Sequence, residues 1–193
     1  MSSYGTDFER AKAIARDLVR TLRSHEGIPS GRMKYASGFE QLARAESGQD
    51  RVWCGNYADI FCAACNALGI PARKIDMQYV WSSGRKANFE IGEAHRTTEV
   101  FDRKLNRWVW MDLTLGYWAA LGNGHDPLNM AELVQVLNDE RRLPGLRLEE
   151  YDHARDVERV VPVSESPRAK DLFRFFRQDQ RYQYVRSVRA AMK

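Results

Sequence analysis

The sequence predicts one α+β domain over residues 1–193, in which a helix that carries a cysteine packs on an antiparallel sheet. Apolar residues recur at three- and four-residue spacing after Cys54, which is typical of an amphipathic helix. A strand–turn–strand pattern occupies residues 92–113. Further helices are predicted towards both ends of the chain. A hydrophobic content of 44% is enough for a domain with its own core.

The first helix is predicted from a capping box. In Thr6-Asp7-Phe8-Glu9 the threonine side chain caps a backbone N–H of the first turn, and the glutamate reaches back to the chain before it. Apolar residues at helical spacing continue this helix to about Ser24. The Gly-, Pro- and Ser-containing stretch 27–38 is predicted to be a loop, and residues 39–45 a short helix.

The next helix is the centre of the functional hypothesis, because Cys54 lies at or just before its first turn. Gly69 and Pro71 predict its end, since glycine adopts the left-handed conformation after a helix and proline cannot continue one. Unpaired backbone N–H groups and the positive end of the helix dipole favour a thiolate at the start. Cys54 is therefore a candidate nucleophile, provided that a histidine reaches it from elsewhere in the fold.

The strand–turn–strand pattern supplies that histidine. Residues 92–102 and 107–113 are predicted strands joined by a short turn. In the register that this turn sets, Thr97 pairs with Asp112, and His95 becomes the diagonal neighbour of Asp112, roughly 7–8 Å away at the backbone. An imidazole and a carboxylate can close that gap with a hydrogen bond.

The same register divides the side chains of the two strands between two faces. One face is predicted to hold the site, with His95, Thr97, Glu99, Phe101, Trp108, Trp110 and Asp112. The other face is predicted to be core and carries Val100, Val109, Met111 and Leu113.

Weaker signals predict the remaining elements. Residues 73–81 alternate moderately and are predicted to be the first strand of the sheet. Residues 114–126, rich in glycine and aromatic residues, are predicted to be irregular. A second capping box, Asn129-Met130-Ala131-Glu132, opens a helix to about Leu137, and residues 157–163 are predicted to form a late strand.

Three segments in this order resemble the transglutaminase-like superfamily, whose Cys–His–Asp triad stands on a papain-like fold. They are Cys54-Gly-Asn-Tyr-Ala with Ala67-Leu-Gly-Ile-Pro-Ala-Arg73, then His95-Arg-Thr-Thr-Glu-Val, then Trp108-Val-Trp-Met-Asp112-Leu-Thr. The resemblance covers roughly residues 38–140 and extends, more distantly, to the core of the peptide N-glycanases. The chain departs from these families in having Thr97 where members usually carry an aromatic residue, and in lacking the zinc-binding cysteine pairs of the glycanases.

The resemblance implies a papain/transglutaminase-like α+β fold with Cys54, His95 and Asp112 as its triad. Cys54 would attack a carbonyl, His95 would activate the thiol, and Asp112 would hold the imidazole in its tautomer and orientation. Water would then resolve the thioester in a hydrolase such as a peptidase, and an amine would resolve it in an acyltransferase. We expect a cysteine-dependent amide hydrolase or acyl transferase for a peptide or protein amide, with no cofactor and no metal.

The oxyanion of such a reaction is expected to be stabilised by the Cys54 backbone N–H and by a second donor from the preceding loop. The candidates for that donor are the Gln49 side chain and the Trp53 indole. Aromatic side chains are also expected to wall an apolar cleft that excludes water, namely Trp81, Trp108, Trp110, Tyr117 and Trp118.

Two other features have competing interpretations. Cys62 and Cys65 have a Cys-x-x-Cys spacing that can indicate metal or redox chemistry. In the middle of a helix and within an apolar stripe, they are predicted to be core residues instead, since a zinc site needs two further ligands. His125 is the rival base, although a loop histidine beside Asp126 is more typical of a surface.

No apolar run approaches the ~20 residues of a membrane span, and the first residues lack the features of a secretion signal. The number of cysteines, three, is odd, and two of them lie on one predicted helix. A disulfide framework is therefore not expected, and a cytoplasmic location fits best.

The C-terminal stretch 167–193 differs from the rest in charge. It has eight basic and two acidic residues, a net charge of +6, whereas the whole chain carries +4 and the remainder therefore −2. Apolar residues at helical spacing, including Tyr184 and Val185, predict one or two helices docked on the domain. The basic face is either simply solvated or binds an anionic partner or a partner protein. The alternative to an enzyme is therefore a catalytically silent binding module that uses this face.

Overall fold

The computed structural model describes residues 5–82, 89–123, 125–169 and 183–185. The helices are α1 (Asp7–Leu22), α2 (Gly38–Glu46), α3 (Cys54–Ala67) and α4 (Met130–Leu137). The strands are β1 (Ala72–Ser82), β2 (Phe89–Asp102), β3 (Arg107–Met111), β4 (Tyr117–Leu121), β5 (Arg147–Asp152), β6 (Val157–Pro162) and β7 (Gln183–Val185). The predicted α+β class is confirmed.

The strands form two antiparallel sheets. The first has the order β3-β2-β1-β7, and the second has the order β4-β5-β6. Helix α3 contacts β1 and β2 of the first sheet. The helix that begins at Cys54 therefore packs on an antiparallel sheet, as the sequence predicts.

Both predicted capping sequences lie at helix starts, and at α4 both hydrogen bonds of the box are present. The Thr6 hydroxyl accepts a hydrogen bond from the Glu9 backbone N–H at 3.2 Å. At the start of α4, Asn129 Oδ1 accepts from the Glu132 N–H, and Glu132 Oε2 accepts from the Asn129 N–H. Side chains thus satisfy N–H groups that a first helical turn leaves unpaired.

Helix α3 begins and ends where the sequence predicts. Its N-cap is Trp53, whose backbone N–H donates to Asn56 Oδ1 at 3.0 Å, so that Cys54 is the first helical residue. After the helix, Gly69 has φ +74°, a left-handed conformation that glycine adopts without strain. The Cys54 N–H is one of the groups at the helix start that have no intrahelical acceptor.

Strands β2 and β3 pair in the predicted register. Val100 lies opposite Val109, and Asp102 lies opposite Arg107. Strands β2 and β3 thus form a hairpin in the first sheet. Asp112 follows β3 by one residue, at the end of the hairpin that lies away from the turn. This register brings the Asp112 and His95 side chains to the same face.

Both faces of this hairpin contribute to buried cores, and the predicted core face is confirmed. One face packs with α1 and α3 in a core that includes Val100, Val109, Met111 and Leu113. The opposite face packs with α4, β4 and β5 in a second core, to which Trp110 belongs. The second sheet and α4 therefore cover part of the face to which His95 and Asp112 belong.

Two predicted elements are wrong. Residues 114–126 include strand β4, whose five residues are all buried, so that it lacks the alternation that reveals a half-buried strand. Near the C-terminus, Tyr184 and Val185 are not helical but belong to β7, which extends the first sheet at the edge of β1. The other predicted helical positions after residue 169 lie outside the described residues.

In the described part, no helix is long and apolar enough to cross a membrane.

Candidate active site

Cys54 is half-buried at the first position of α3. Its sulfur has three hydrogen-bonding neighbours, the His95 side chain and two backbone N–H groups. Burial by itself raises the pKa of the thiol. The hydrogen bond and the positive charge of His95, with the backbone N–H groups of Arg96 and Gly55, outweigh burial and lower the pKa of Cys54 below its ordinary value. The site therefore favours the thiolate.

His95 links this sulfur to a carboxylate. Its Nε2 lies 2.7 Å from Asp112 Oδ2, and the imidazole also forms a hydrogen bond with the Cys54 sulfur. Burial alone would lower the pKa of His95. The charge and hydrogen bond of Asp112, together with the Cys54 sulfur, raise it to about 10. The arrangement stabilises a thiolate–imidazolium pair.

Asp112 is completely buried and held from two sides. Its Oδ1 accepts a hydrogen bond from the Leu115 backbone N–H at 3.1 Å. Its own backbone N–H and carbonyl both pair with Tyr117, each at 2.8 Å. The carboxylate oxygen that faces His95 is therefore fixed in position by backbone contacts.

The residues predicted around this triad lie in different environments. Trp53 is 56% exposed directly before Cys54, and Gln49 is exposed in the loop between α2 and α3. Trp110 is completely buried, and its Nε1 donates to Thr97 Oγ1 at 3.1 Å. The prediction that Trp110 contacts the substrate is wrong, because its ring faces the second core and its only polar atom is already paired.

The expected aromatic wall is also wrong. Tyr117 and Trp118 are completely buried, and Trp118 stacks on Tyr151 at 5.1 Å between ring centroids. Trp108 packs edge-on against Phe101, with the Arg73 guanidinium 3.9 Å from its centroid. Tyr117 and Trp118 are therefore core residues, whereas Trp108 is half-buried against Phe101 and Arg73. The Trp81 side chain lies outside the described residues.

Arg96 is a site residue that the sequence reasoning missed. Its backbone N–H faces the Cys54 sulfur, and its Nη1 is 3.5 Å from the position that a Cβ on Gly55 would take. Asp76 forms an ion pair with its guanidinium, and Asp59 lies 3.9 Å away. The sequence signal for this role was the position of Arg96 directly after His95 in a predicted strand, because the backbone N–H of Arg96 then lies beside the His95 side chain.

A buried amide network supports the start of α3. Gln41 on α2 is almost completely buried and accepts a hydrogen bond from Asn56 Nδ2 at 2.8 Å. Its own Nε2 donates to Asp59 Oδ2 at 3.2 Å. The network ties α2 to the turn of α3 that carries Cys54.

The competing interpretations of the other residues can be placed as well. Cys62 and Cys65 are buried in the first core, and burial raises the pKa of Cys62 to about 12, which is typical of inert structural thiols. Across the described residues there is no group of three potential metal ligands. His125 is exposed in the loop after β4 with φ +68°.

One comparison with known proteins bears on this geometry. Residues 1–113 match the family model of the transglutaminase-like superfamily, a segment that includes Cys54, His95 and Asp112. No curated protein and no solved structure matches the chain. Because the match covers more than half of the 193 residues, the chain belongs to the transglutaminase-like superfamily, a family of papain-like cysteine enzymes.

Proposed function

We propose that this protein is a cysteine-dependent amide hydrolase or acyl transferase that works through a thioester on a peptide or protein amide. The observation that supports this most strongly is the His95 imidazole between the Cys54 sulfur and the Asp112 carboxylate. A sulfur with a lowered pKa, a proton carrier and a fixed carboxylate are the groups that acyl transfer by cysteine needs.

The proposed reaction begins with attack of the Cys54 thiolate on the amide carbonyl carbon. The resulting tetrahedral intermediate collapses when the imidazolium of His95 donates its proton to the departing amine, which breaks the C–N bond and leaves a thioester. Water or a second amine then attacks the thioester and gives its proton to neutral His95, and the C–S bond breaks. Asp112 holds His95 in position throughout.

The oxyanion needs donors that are in place before the reaction. The Cys54 N–H at the first helical position is the first donor in this proposal, since helix geometry leaves it without an internal acceptor. The second donor is the side chain of Gln49 or the indole of Trp53. Both are exposed on the segment that leads into α3.

A cytoplasmic location is part of the same proposal. All three cysteines are free thiols, and a nucleophilic cysteine of lowered pKa must stay reduced to act. Hydrolysis and transamidation differ only in the group that attacks the thioester, and the proposal includes both.

The alternative function is a silent binding module that uses the basic stretch 167–193 to bind an anionic partner or a partner protein. The net charge of +6 in that stretch is the observation that favours it. A silent module has no need of an activated thiol, so a measurement of thiol reactivity separates the two functions.

The test is the pH dependence of iodoacetamide labelling at Cys54, read by peptide mass spectrometry in the wild type and in His95→Ala. An ordinary thiol of pKa ~8.5 is only about 0.3% thiolate at pH 6, so a lowered pKa predicts labelling there at least ~10 times faster. In His95→Ala the burial effect prevails, and labelling should shift towards alkaline pH. In the wild type, the imidazolium of His95 should lose its proton when the pH rises above about 10.

Cys62 and Cys65 provide internal controls in the same digest, because both are buried thiols that should react slowly over the whole range. Slow labelling of Cys54 with an ordinary thiol profile in both proteins would contradict the enzymatic function. If His95→Ala is still labelled rapidly, that result would contradict only the proposed role of His95.

A further inference from the structure

A cleft of roughly 350 Å³ lies beside the start of α3. Its lining includes Glu26, Ile28, Val52, Trp53, Tyr57 and Thr114. This volume is at the lower end of the range for ligand pockets in proteins, and is large enough for a side chain rather than for a whole cofactor.

The walls of the cleft expose large apolar groups to water. Ile28 is 80% exposed and Trp53 is 56% exposed, whereas Val52 beneath them is buried. A single exposed apolar side chain needs no explanation. Two of this size that line the same concave surface are typical of a binding site for an apolar group.

The carboxylate of Glu26 and the hydroxyl of Tyr57 already have partners within the protein. Glu26 Oε1 accepts a hydrogen bond from the hydroxyl of the buried Tyr57 at 3.2 Å, and the same oxygen lies 2.9 Å from Arg23 Nη1. The ion pair with Arg23 balances the charge of the carboxylate. The cleft therefore favours an uncharged apolar occupant over a cationic one.

The cleft is preformed. The Gly27 N–H donates to the Val52 carbonyl, and the Val52 N–H donates to the His25 carbonyl, both at 3.0 Å. These bonds form a short parallel bridge between Glu26 and Val52. Ile28 is thus held beside Trp53 before any ligand arrives, which lowers the entropic cost of binding.

The cleft also adjoins the segments that carry the triad. Trp53 directly precedes Cys54, and Thr114 follows Asp112 by two residues. The segments that carry the nucleophile and the carboxylate thus border the cleft, although Cys54 itself is not part of its lining. We infer that the cleft binds a bulky apolar side chain, of the size of leucine or phenylalanine, in the substrate residue next to the attacked amide. This inference rests on the proposed function and specifies its substrate.

The test uses three matched alkylating probes on the full-length protein: the iodoacetyl derivatives of glycine amide, phenylalanine amide and lysine amide. Their labelling rates at Cys54 are measured by peptide mass spectrometry. Because burial of an apolar side chain gives at least a tenfold preference, we expect the phenylalanine probe to react about 10 times faster than the glycine probe. That ratio should fall below about threefold in Ile28→Ser and in Trp53→Ala, which remove the two walls.

Leu105→Ser is the matched control, because Leu105 is also an exposed apolar residue, at 45%, but lies in the turn between β2 and β3. The preference for phenylalanine should survive in this variant. Equal rates for all three probes, or a preference for the lysine probe, would overturn the inference. Because the inference depends on a ratio of rates, it can fail while plain iodoacetamide still labels Cys54 rapidly, and that outcome leaves the proposed function standing.

Discussion

At the scale of single residues, Asp112 is the group on which the charge state of the site depends. Its carboxylate raises the pKa of His95, and the imidazolium that results lowers the pKa of Cys54. The carboxylate is completely buried, so water does not screen its effect on the imidazole. We therefore expect the reactivity of the Cys54 sulfur to depend on the Asp112 carboxylate, through His95.

Asp112→Asn should slow labelling of Cys54 at pH 6 by about tenfold or more, since loss of one pKa unit in the pair corresponds to a factor of ten. Asparagine keeps an oxygen for the Leu115 N–H, but it brings no charge to stabilise the imidazolium. The measurement is the pH profile of iodoacetamide labelling. Asp126→Asn, in an exposed loop, is the control. An unchanged profile in Asp112→Asn would show that the carboxylate does not activate the sulfur.

At the scale of elements, the close approach of α2 to α3 holds the start of α3 in place. Gly38, at the first position of α2, would place a Cβ 2.6 Å from the Asp59 carbonyl oxygen and 2.6 Å from the Ala63 Cβ. Both neighbours belong to α3 and cannot rotate away. The glycine therefore permits the contact in which Gln41 reaches Asn56.

Gly38→Ala should destabilise the protein by about 1–3 kcal/mol, as overpacking in a close contact does. Urea denaturation of the two proteins measures this loss in the free energy of unfolding. Gly31→Ala is the matched control, because a Cβ at Gly31 meets nothing within 4 Å, and its effect should stay within about 0.5 kcal/mol. Equal stabilities of the two variants would mean that the helices can separate without cost.

At the scale of the whole molecule, the segment after β6 braces the loop that positions Asp112. Arg168 Nη1 donates to the Leu115 carbonyl at 2.9 Å, and the Ser166 hydroxyl lies 2.7 Å from the Tyr117 hydroxyl. Leu115 and Tyr117 are the residues whose backbones hold Asp112. Residues beyond the 1–113 family match therefore support the geometry of the triad.

Arg168→Ala should slow labelling of Cys54 at pH 6 roughly threefold and shift its pH profile upward, because a charged hydrogen bond of about 1.5–3 kcal/mol is lost from the loop. Arg168→Lys should restore part of the rate. Arg155→Ala is the control, since Arg155 is exposed and pairs with Asp152 in the turn between β5 and β6, away from the site. If the free energy of unfolding falls in Arg168→Ala while the pH profile of labelling is unchanged, the contact between Arg168 and Leu115 stabilises the fold and does not affect the site.

Much of the fold and of the candidate site could be predicted from local patterns. The capping residues of α1 and α4, the start of α3 at Cys54 and the register between β2 and β3 follow from spacings of a few residues. The diagonal relation of His95 and Asp112 is a consequence of that register. Strand β4 was missed because continuous burial removes the alternation on which such prediction depends.

The sequence by itself identified Cys54, His95 and Asp112 as candidates and determined that the last two would share a face, because helix and strand periodicity is a local property of the chain. Only the tertiary structure decided how the sulfur meets the imidazole, since α3 and β2 are joined by packing across the core. The packing of the second sheet and α4 likewise made Trp110 a core residue and left Trp53 exposed. Burial depends on what covers a side chain, and the covering elements are distant in sequence.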